Sequence, residues 1–411
     1  MQNKFTVISR VRPGHQAQVT QILKNHTFIY SGTANDPFGF DKISTLHFAS
    51  ISIYDDPEDG WSLLFEHNID GKIPDHLRNM TDVAEDLDGG VFLLDLYGHC
   101  QGFDGQSLDV LLEYMGERVI MPAAGFISAV NMTRDQIRLD AQVYEVVDST
   151  LGAAGVSKSP ADVQAAVLEA LDDNLETRDQ WYSMDDPGTG LSFWGKIKAV
   201  LALIFHIIGF LVLAVWNLIP ERTAPQDQAH PDPDLRRSLE LGEDFIPTNH
   251  MLSVVYLHTD LGRQMAKRMA FGMLLNLVTL VFRKGFLGEI NTIHFAHWAF
   301  TNDNRRLIFV SNYDGSWRSY LDDFTLKASN GLNLAWAHSM GFPKTWIMLF
   351  GGASKGPEFI DYARRSMVPT LVWYSAYPSV SVTNIGRNRQ LRAALKKARD
   401  DSNDTSWLEL I

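Results

Sequence analysis

The chain has 411 residues, of which 45% are hydrophobic and 21% charged, and its formal net charge is −13. That length exceeds one compact core and fits two domains of ordinary size plus an insertion, while the composition is that of a globular chain and not a disordered one. Net acidity argues against nucleic acid as a partner, and the single cysteine, Cys100, excludes an intrachain disulfide framework and a thiolate zinc site.

In chain order, Phe5–Val11 alternates as a strand and stops at Arg12-Pro13-Gly14. No positively charged lead and apolar core precede it, so no signal peptide is visible. His15–Lys24 has helical spacing, Ser44–Tyr54 and Trp61–Asn68 read as a hairpin, Ile73–Leu87 as a helix and Val91–Tyr97 as a fourth strand. The order is β-α-β-β-α-β, the ferredoxin-like arrangement. Helices are expected around Leu108–Gly116, over Thr133–Leu151 with Thr133 as cap, and from Ser159-Pro160, cap and first helical position.

Asp172–Gly190 is acidic and turn-rich and reads as a linker. Ala199–Ile219 is apolar apart from His206 and Asn217, and about 20 apolar residues suffice to cross a bilayer. Trp194 and Trp216 lie near its ends, where interfacial aromatics are favoured, and Lys196 and Lys198 reach toward headgroups. Met269–Phe282 is a shorter apolar run with basic ends, suited to an interface. Halves that pack together must share one side of a membrane, so monotopic anchoring is expected. Pro220–Pro247 reads as an exposed linker with a short helix near Asp234–Leu241.

After the insertion, Leu252–His258 reads as a strand, Asp260–Met269 as a helix that the apolar run extends, Ser316–Leu326 as a helix, Trp346–Phe350 as a strand, and Asn388–Arg399 as a basic helix before a frayed tail from Asp400. Landmarks recur here in the order of the first half. His47-Phe48-Ala49 recurs as His294-Phe295-Ala296, Asn68-Ile69-Asp70-Gly71 as Asn312-Tyr313-Asp314-Gly315, and the H-x-x-G-F of His99 as that of His338. A helix tyrosine (Tyr114, Tyr362) and P-x5-S-A (Pro122, Pro369) complete the set. The first copy spaces its His and Asn more widely, which a longer hairpin loop explains. The expected fold is α+β: tandem ferredoxin-like units forming a fused α/β barrel, with a hydrophobic helical insertion. Expected bounds are 1–150 and 251–400 for the repeats, 151–250 for the insertion and 401–411 for a tail.

This pattern is similar to the ferredoxin-like dimeric α/β-barrel superfamily, over residues 4–100 and 250–380. That resemblance implies a barrel with one pocket and admits haem enzymes (dye-decolourising peroxidases, chlorite dismutases, aldoxime dehydratases), small monooxygenases and non-catalytic binders. Both N-x-D-G stretches lack the leading glycine of the G-x-x-D-G signature of dye-decolourising peroxidases.

For site residues, His294, His338 and Asp314 are the candidates for catalysis, with the two histidines as candidate haem ligands. No H-E-x-x-H spacing supports a metal set. The bland counterparts are a half-buried histidine bonded to backbone or to the nearby Asp, and helix-capping roles for Asp70 and Asp314. Val372–Pro378, with Tyr374, Ser375 and Tyr377, lines a pocket or forms a core strand. The expected function is a membrane-associated protein, on the cytoplasmic face, handling a lipid-like or other apolar small molecule by redox or dehydration chemistry with haem. The alternative is a non-catalytic lipid-binding or adaptor subunit. Membrane lipid, the apolar molecule, and a homo-oligomer or partner enzyme are the expected partners.

Overall fold

The computed structural model describes residues 2–26, 28–30, 36–87, 89–154, 159–174, 180–183, 192–218, 230–280 and 290–411. The first half runs β1 (Gln2–Arg10), α1 (Gln16–Leu23), β2 (Phe28–Tyr30), β3 (Leu46–Asp56), β4 (Gly60–Asp70), α2 (Ile73–Asp86), α3 (Gly89–Gly98), α4 (Leu108–Gly116), β5 (Val119–Ile120), β6 (Ala124–Ile127) and α5 (Arg134–Ala154). Between the halves lie α6 (Pro160–Asn174), α7 (Gln180–Ser183), α8 (Phe193–Trp216) and α9 (Pro233–Glu240). The second half runs β7 (Thr248–Tyr256), α10 (Leu261–Leu280), β8 (Ile293–Thr301), β9 (Arg306–Asp314), α11 (Trp317–Lys327), α12 (Ser329–Trp336), β10 (Thr345–Trp346), β11 (Phe350–Gly351), α13 (Pro357–Ser366), β12 (Met367–Val368), β13 (Val372–Ser375) and α14 (Val382–Asp400). Parts of the expected linkers, 175–179, 184–191 and 219–229, lie outside the described residues.

The fold is α+β. One sheet has the order β2-β13-β3-β4-β1-β5 and the other β12-β7-β9-β8-β6. Neither closes into a barrel, because each ends on distinct edges. The short strands β5 and β12 take one edge of each, and a strand from the other half borders β3 or β8. β13 pairs antiparallel with β3, and β6 with β8, so the last strand of each half lies in the sheet of the other. The sheets face each other across Tyr54 and Leu64 from one and Leu252, Val254, Ile308 and Val310 from the other. Their outer faces are covered by separate apolar cores, one under α1–α4 and one under α10–α13. A third core joins α5, α6, α7 and α14.

Several expectations change. Val91–Tyr97 lies in helix α3, not a strand, since Leu93, Leu96 and Tyr97 bury at helical spacing. The wider His-to-Asn spacing in the first half comes from longer strands, 11 residues in β3 and β4 against 9 in β8 and β9, and not from the loop. Trp346–Phe350 is the turn of the β10–β11 hairpin. The linker contains α7, whose Trp181 is buried. The tail is pinned by buried Trp407, whose Nε1 donates to Gln164 Oε1 at 3.1 Å. The Ser-Ala landmark is displaced by one: Ser128 N–H donates to His294 O, whereas Ala376 N–H donates to His47 O.

Strand exchange makes the halves interdependent. Truncation before Thr370 removes β13 and uncovers Phe48 and Ile51. Exposing such side chains costs about 1.5–3 kcal/mol each, and the expected result is loss of one cooperative thermal transition for the whole chain, read by near-ultraviolet circular dichroism, with no folded first half surviving.

Candidate functional site

His294 and Asp314 meet as expected from sequence. Both His47 and His294 stand at a β-bulge, between Leu46 and Phe48 and between Ile293 and Phe295, which turns the ring toward the strand end. His294 Nε2 donates to Asp314 Oδ1 at 2.7 Å, and Asp314 Oδ2 accepts from Val382 N–H at 2.7 Å. In the other half His47 Nε2 lies 3.1 Å from Asp70 Oδ2, which accepts from Arg134 N–H at 2.8 Å. Each Asp therefore caps a helix, but α5 or α14, not the helix that follows it in sequence. The two imidazoles converge on Tyr377: His47 Nδ1 bonds its hydroxyl at 2.8 Å, and the His294 ring lies 6.0 Å from its ring. Phe48 and Phe295 fill the space between.

His338 is elsewhere. His258 N–H donates to its carbonyl, so it lies at the end of β7 opposite the Thr248–Asp314 pair. A strand rises about 3.3 Å per residue, which puts roughly 30 Å between the two positions. Burial, then the positive charges of Lys267 and Arg263, draw the His338 ring down to about 3. The H-x-x-G-F motif is a shared turn, with left-handed Gly102 and Gly341 at φ 73° and 74°.

Sequence reasoning missed the polar cluster between the sheets. Glu66 on β4 is fully buried and accepts from Ser50 Oγ at 2.9 Å, Asn68 Nδ2 at 2.7 Å, Asn312 Nδ2 at 3.2 Å and His250 Nε2 at 3.1 Å. Burial pushes its carboxyl up, but the bond and charge of His250 outweigh this and hold it below the usual range. Lys4, desolvated nearby, falls to about 8. The signal was a carboxylate in mid-strand where neighbouring positions alternate without a solvent face. His250 reaches outward too, its Nδ1 bonded to Thr370 Oγ1 at 2.7 Å. Both residues line a narrow cleft, open to solvent and with about 40 Å³ of room, against α9 and residues 242–246.

A roomy hollow, largely apolar, lies beside the insertion. It offers about 530 Å³, is partly open to solvent, and is walled by Leu274, Leu277 and Val278 of α10, Trp298 of β8, and Phe324, Leu332 and Trp336. Its only charged wall residue is Lys327, paired with Asp323 at 2.8 Å. Next to the hollow, α10 carries α8. Phe210 and Ala214 of α8 bury against Ala266 and Ala270, and the His206 ring packs where a side chain at Gly272 would stand. The outer face of α8 is apolar and exposed: Leu201 63%, Phe205 64%, Ile208 60% and Val212 63%. Only 11% of its most apolar stretch is buried, so α8 is no core helix; it is long and apolar enough to cross a membrane.

Haem does not fit the expected ligands. His294 is wedged between Phe48 and Tyr377 with Nε2 committed to Asp314, and neither His294 nor His338 lines the cleft or the hollow. Among the described residues no cluster of three or more His, Cys, Asp or Glu is placed to hold a metal ion. No protein-family model, no curated protein and no solved structure matches the chain.

Replacing His294 or Asp314 by Ala removes a partner from a buried contact, which costs about 1–3 kcal/mol. Both variants are expected to lower the melting temperature to a similar extent, and the double variant by less than the sum, as a double-mutant cycle reads.

Acid is expected to destabilise the fold. Burial draws His297 and His258 to about 4, His76 and His338 to about 3, and His67 well below its ordinary 6.5. The unfolded chain binds protons near pH 6.5 and the folded chain does not. The stability these rings contribute is therefore complete above about pH 6.5 and declines as pH falls toward 4, by about 1.4 kcal/mol per unit for each ring. Melting curves between pH 7 and 4 should show this, and His338→Leu should flatten the slope.

Proposed function

We propose that the chain is a membrane-associated protein that binds a lipid-like apolar molecule in the hollow beneath α10. One observation carries this reading: a single helix, α10, lines the hollow with Leu274, Leu277 and Val278 and holds the exposed apolar helix α8, and Leu274 and Leu334 belong both to the wall and to the cluster that packs α8. An acyl chain leaving a bilayer beside α8 has a short path into an apolar space. Among the described residues the lining offers no His, Asp, Glu or Cys, which supports the binding role over redox or dehydration chemistry at this place.

The two halves are best read as copies of one ferredoxin-like unit. What supports this is the common order of strands around each sheet, the matched bulges at His47 and His294, and the matched caps at Asp70 and Asp314. The cytoplasmic face remains the side that a chain with one buried, unpaired cysteine favours.

Flotation with phosphatidylcholine vesicles containing anionic lipid tests attachment. The full chain is expected to float, and a Leu201→Glu, Phe205→Glu, Val212→Glu variant to stay at the bottom with its melting temperature unchanged, since these side chains are exposed. Native mass spectrometry tests the hollow. A lipid bound one to one is expected, and Gly331→Phe, whose side chain starts in open space, should displace it by tenfold or more. Flotation equal in both proteins sinks the membrane reading; an empty hollow sinks the lipid reading.

A further inference from the structure

The lipid-binding reading leaves the cleft beside α9 and the cluster behind it unused. Glu66, His250 and Thr370 stand there in the order carboxylate, imidazole, hydroxyl. His250 Nε2 donates to Glu66 Oε2 at 3.1 Å, and Nδ1 bonds Thr370 Oγ1 at 2.7 Å. Three further donors, from Ser50, Asn68 and Asn312, fix the carboxylate, so the ring is oriented by a group that cannot itself move. In the tautomer with Nε2–H turned to Glu66, Nδ1 is the acceptor for the threonine O–H. Holding the sheets together requires only the Glu66 side of this array. The outward leg to Thr370, half-buried on the link between β12 and β13, ends in the cleft.

We propose that Glu66, His250 and Thr370 form a nucleophilic triad that hydrolyses esters of small apolar acyl groups seated in this cleft. Such an array is recognised by geometry and role, not by sequence order. Thr370 Oγ1 forms a bond to the acyl carbon as its proton passes to His250 Nδ1. The ester C–O bond breaks, and the alcohol leaves with that proton. Water then attacks the acyl-threonine, giving its proton to Nδ1; the Oγ1–acyl bond breaks, the acid departs, and the proton returns to Oγ1. Glu66 stabilises the imidazolium formed in each half of the cycle. The apolar walls, Leu239, Phe245, Ile246, Met367 and Trp373, suit a hydrocarbon acyl group lying along the open mouth of the cleft. Glu243, held by Arg364, places negative charge at the wall and disfavours anionic esters.

The test uses the full-length protein, a fluorophosphonate probe and p-nitrophenyl esters from acetate to octanoate. Expected are probe adducts on the peptide containing Thr370, saturable hydrolysis, loss of both in Thr370→Ala, retention in Thr370→Ser, and at least a hundredfold loss of hydrolysis in His250→Gln. Thr370→Ala and Thr370→Ser should melt with the parent protein, which separates chemistry from folding. Labelling that is absent, that falls on another residue, or that persists in Thr370→Ala overturns the triad. Equal hydrolysis by parent and Thr370→Ala overturns it as well.

Discussion

Exchange of the final strand between the halves is the constraint on which the other features depend. β6 leaves the first half to border β8, yet α5, which follows it, begins at Asp70, on the sheet that β6 has left. β13 and α14 repeat this with Asp314. Each crossing needs a fixed point at which the returning chain is caught, and the carboxylate at the end of β4 or β9 supplies it by accepting the first helical N–H groups. Such a carboxylate also favours the positive end of the helix. The bulged histidine then holds the carboxylate from the strand side. The His–Asp pairs are therefore fasteners, and their recurrence in both halves follows from both halves making the same crossing.

Because the sheets face each other, each strand has two buried sides, and polar residues on the inner side must satisfy one another. Here the halves diverge. Lys4 and His250 occupy equivalent positions, opposite Asn68 and Asn312. Ser50 and His297 correspond, opposite Glu66 and Val310. Shared positions hold the scaffold, and the differing ones bring Lys4 and Glu66 from one half and His250 and His297 from the other, so the interior is asymmetric where the framework is symmetric. A lone carboxylate among apolar strands would be costly; Glu66 is tolerated because donors from both sheets reach it. The same donors make the cluster a joint between the sheets.

Most helices and both long hairpins were legible in the sequence, because apolar spacing and caps such as Thr133 and Ser159 act locally. Val91–Tyr97 was not: an apolar run of that length satisfies either period, and only its packing on α2 and α4 decides. The exchange was invisible too, since strand pairing is non-local. The same limit hid the site. His294 and Asp314 were found because a repeated motif marks them, and repetition marks what both halves need. Glu66, His250 and Thr370 come from three distant stretches, and no spacing rule joins them. The membrane-seeking helix was the reverse case, since length and apolarity are properties of the segment alone.

Packing also bears on how α8 would meet a bilayer. α8 runs antiparallel to α10, with Asn217 against Gly262, Gly209 against Met269 and His206 against Gly272. α10 is in turn held to the second sheet, Phe271 against Trp298 and Phe300. A helix that turned to cross a membrane would have to part from this seam and expose Phe210 and Ala214, while leaving α10 without its cover. Helix α8 of 24 residues is about 36 Å long, so as a flat element it lays a long apolar strip against the acyl boundary, where amphipathic helices bind by buried area. Under the proposed membrane reading, the seam selects the flat arrangement over the crossing one. It also keeps the wall of the hollow, which shares Leu274 and Leu334 with the seam, beside the helix that meets the lipid.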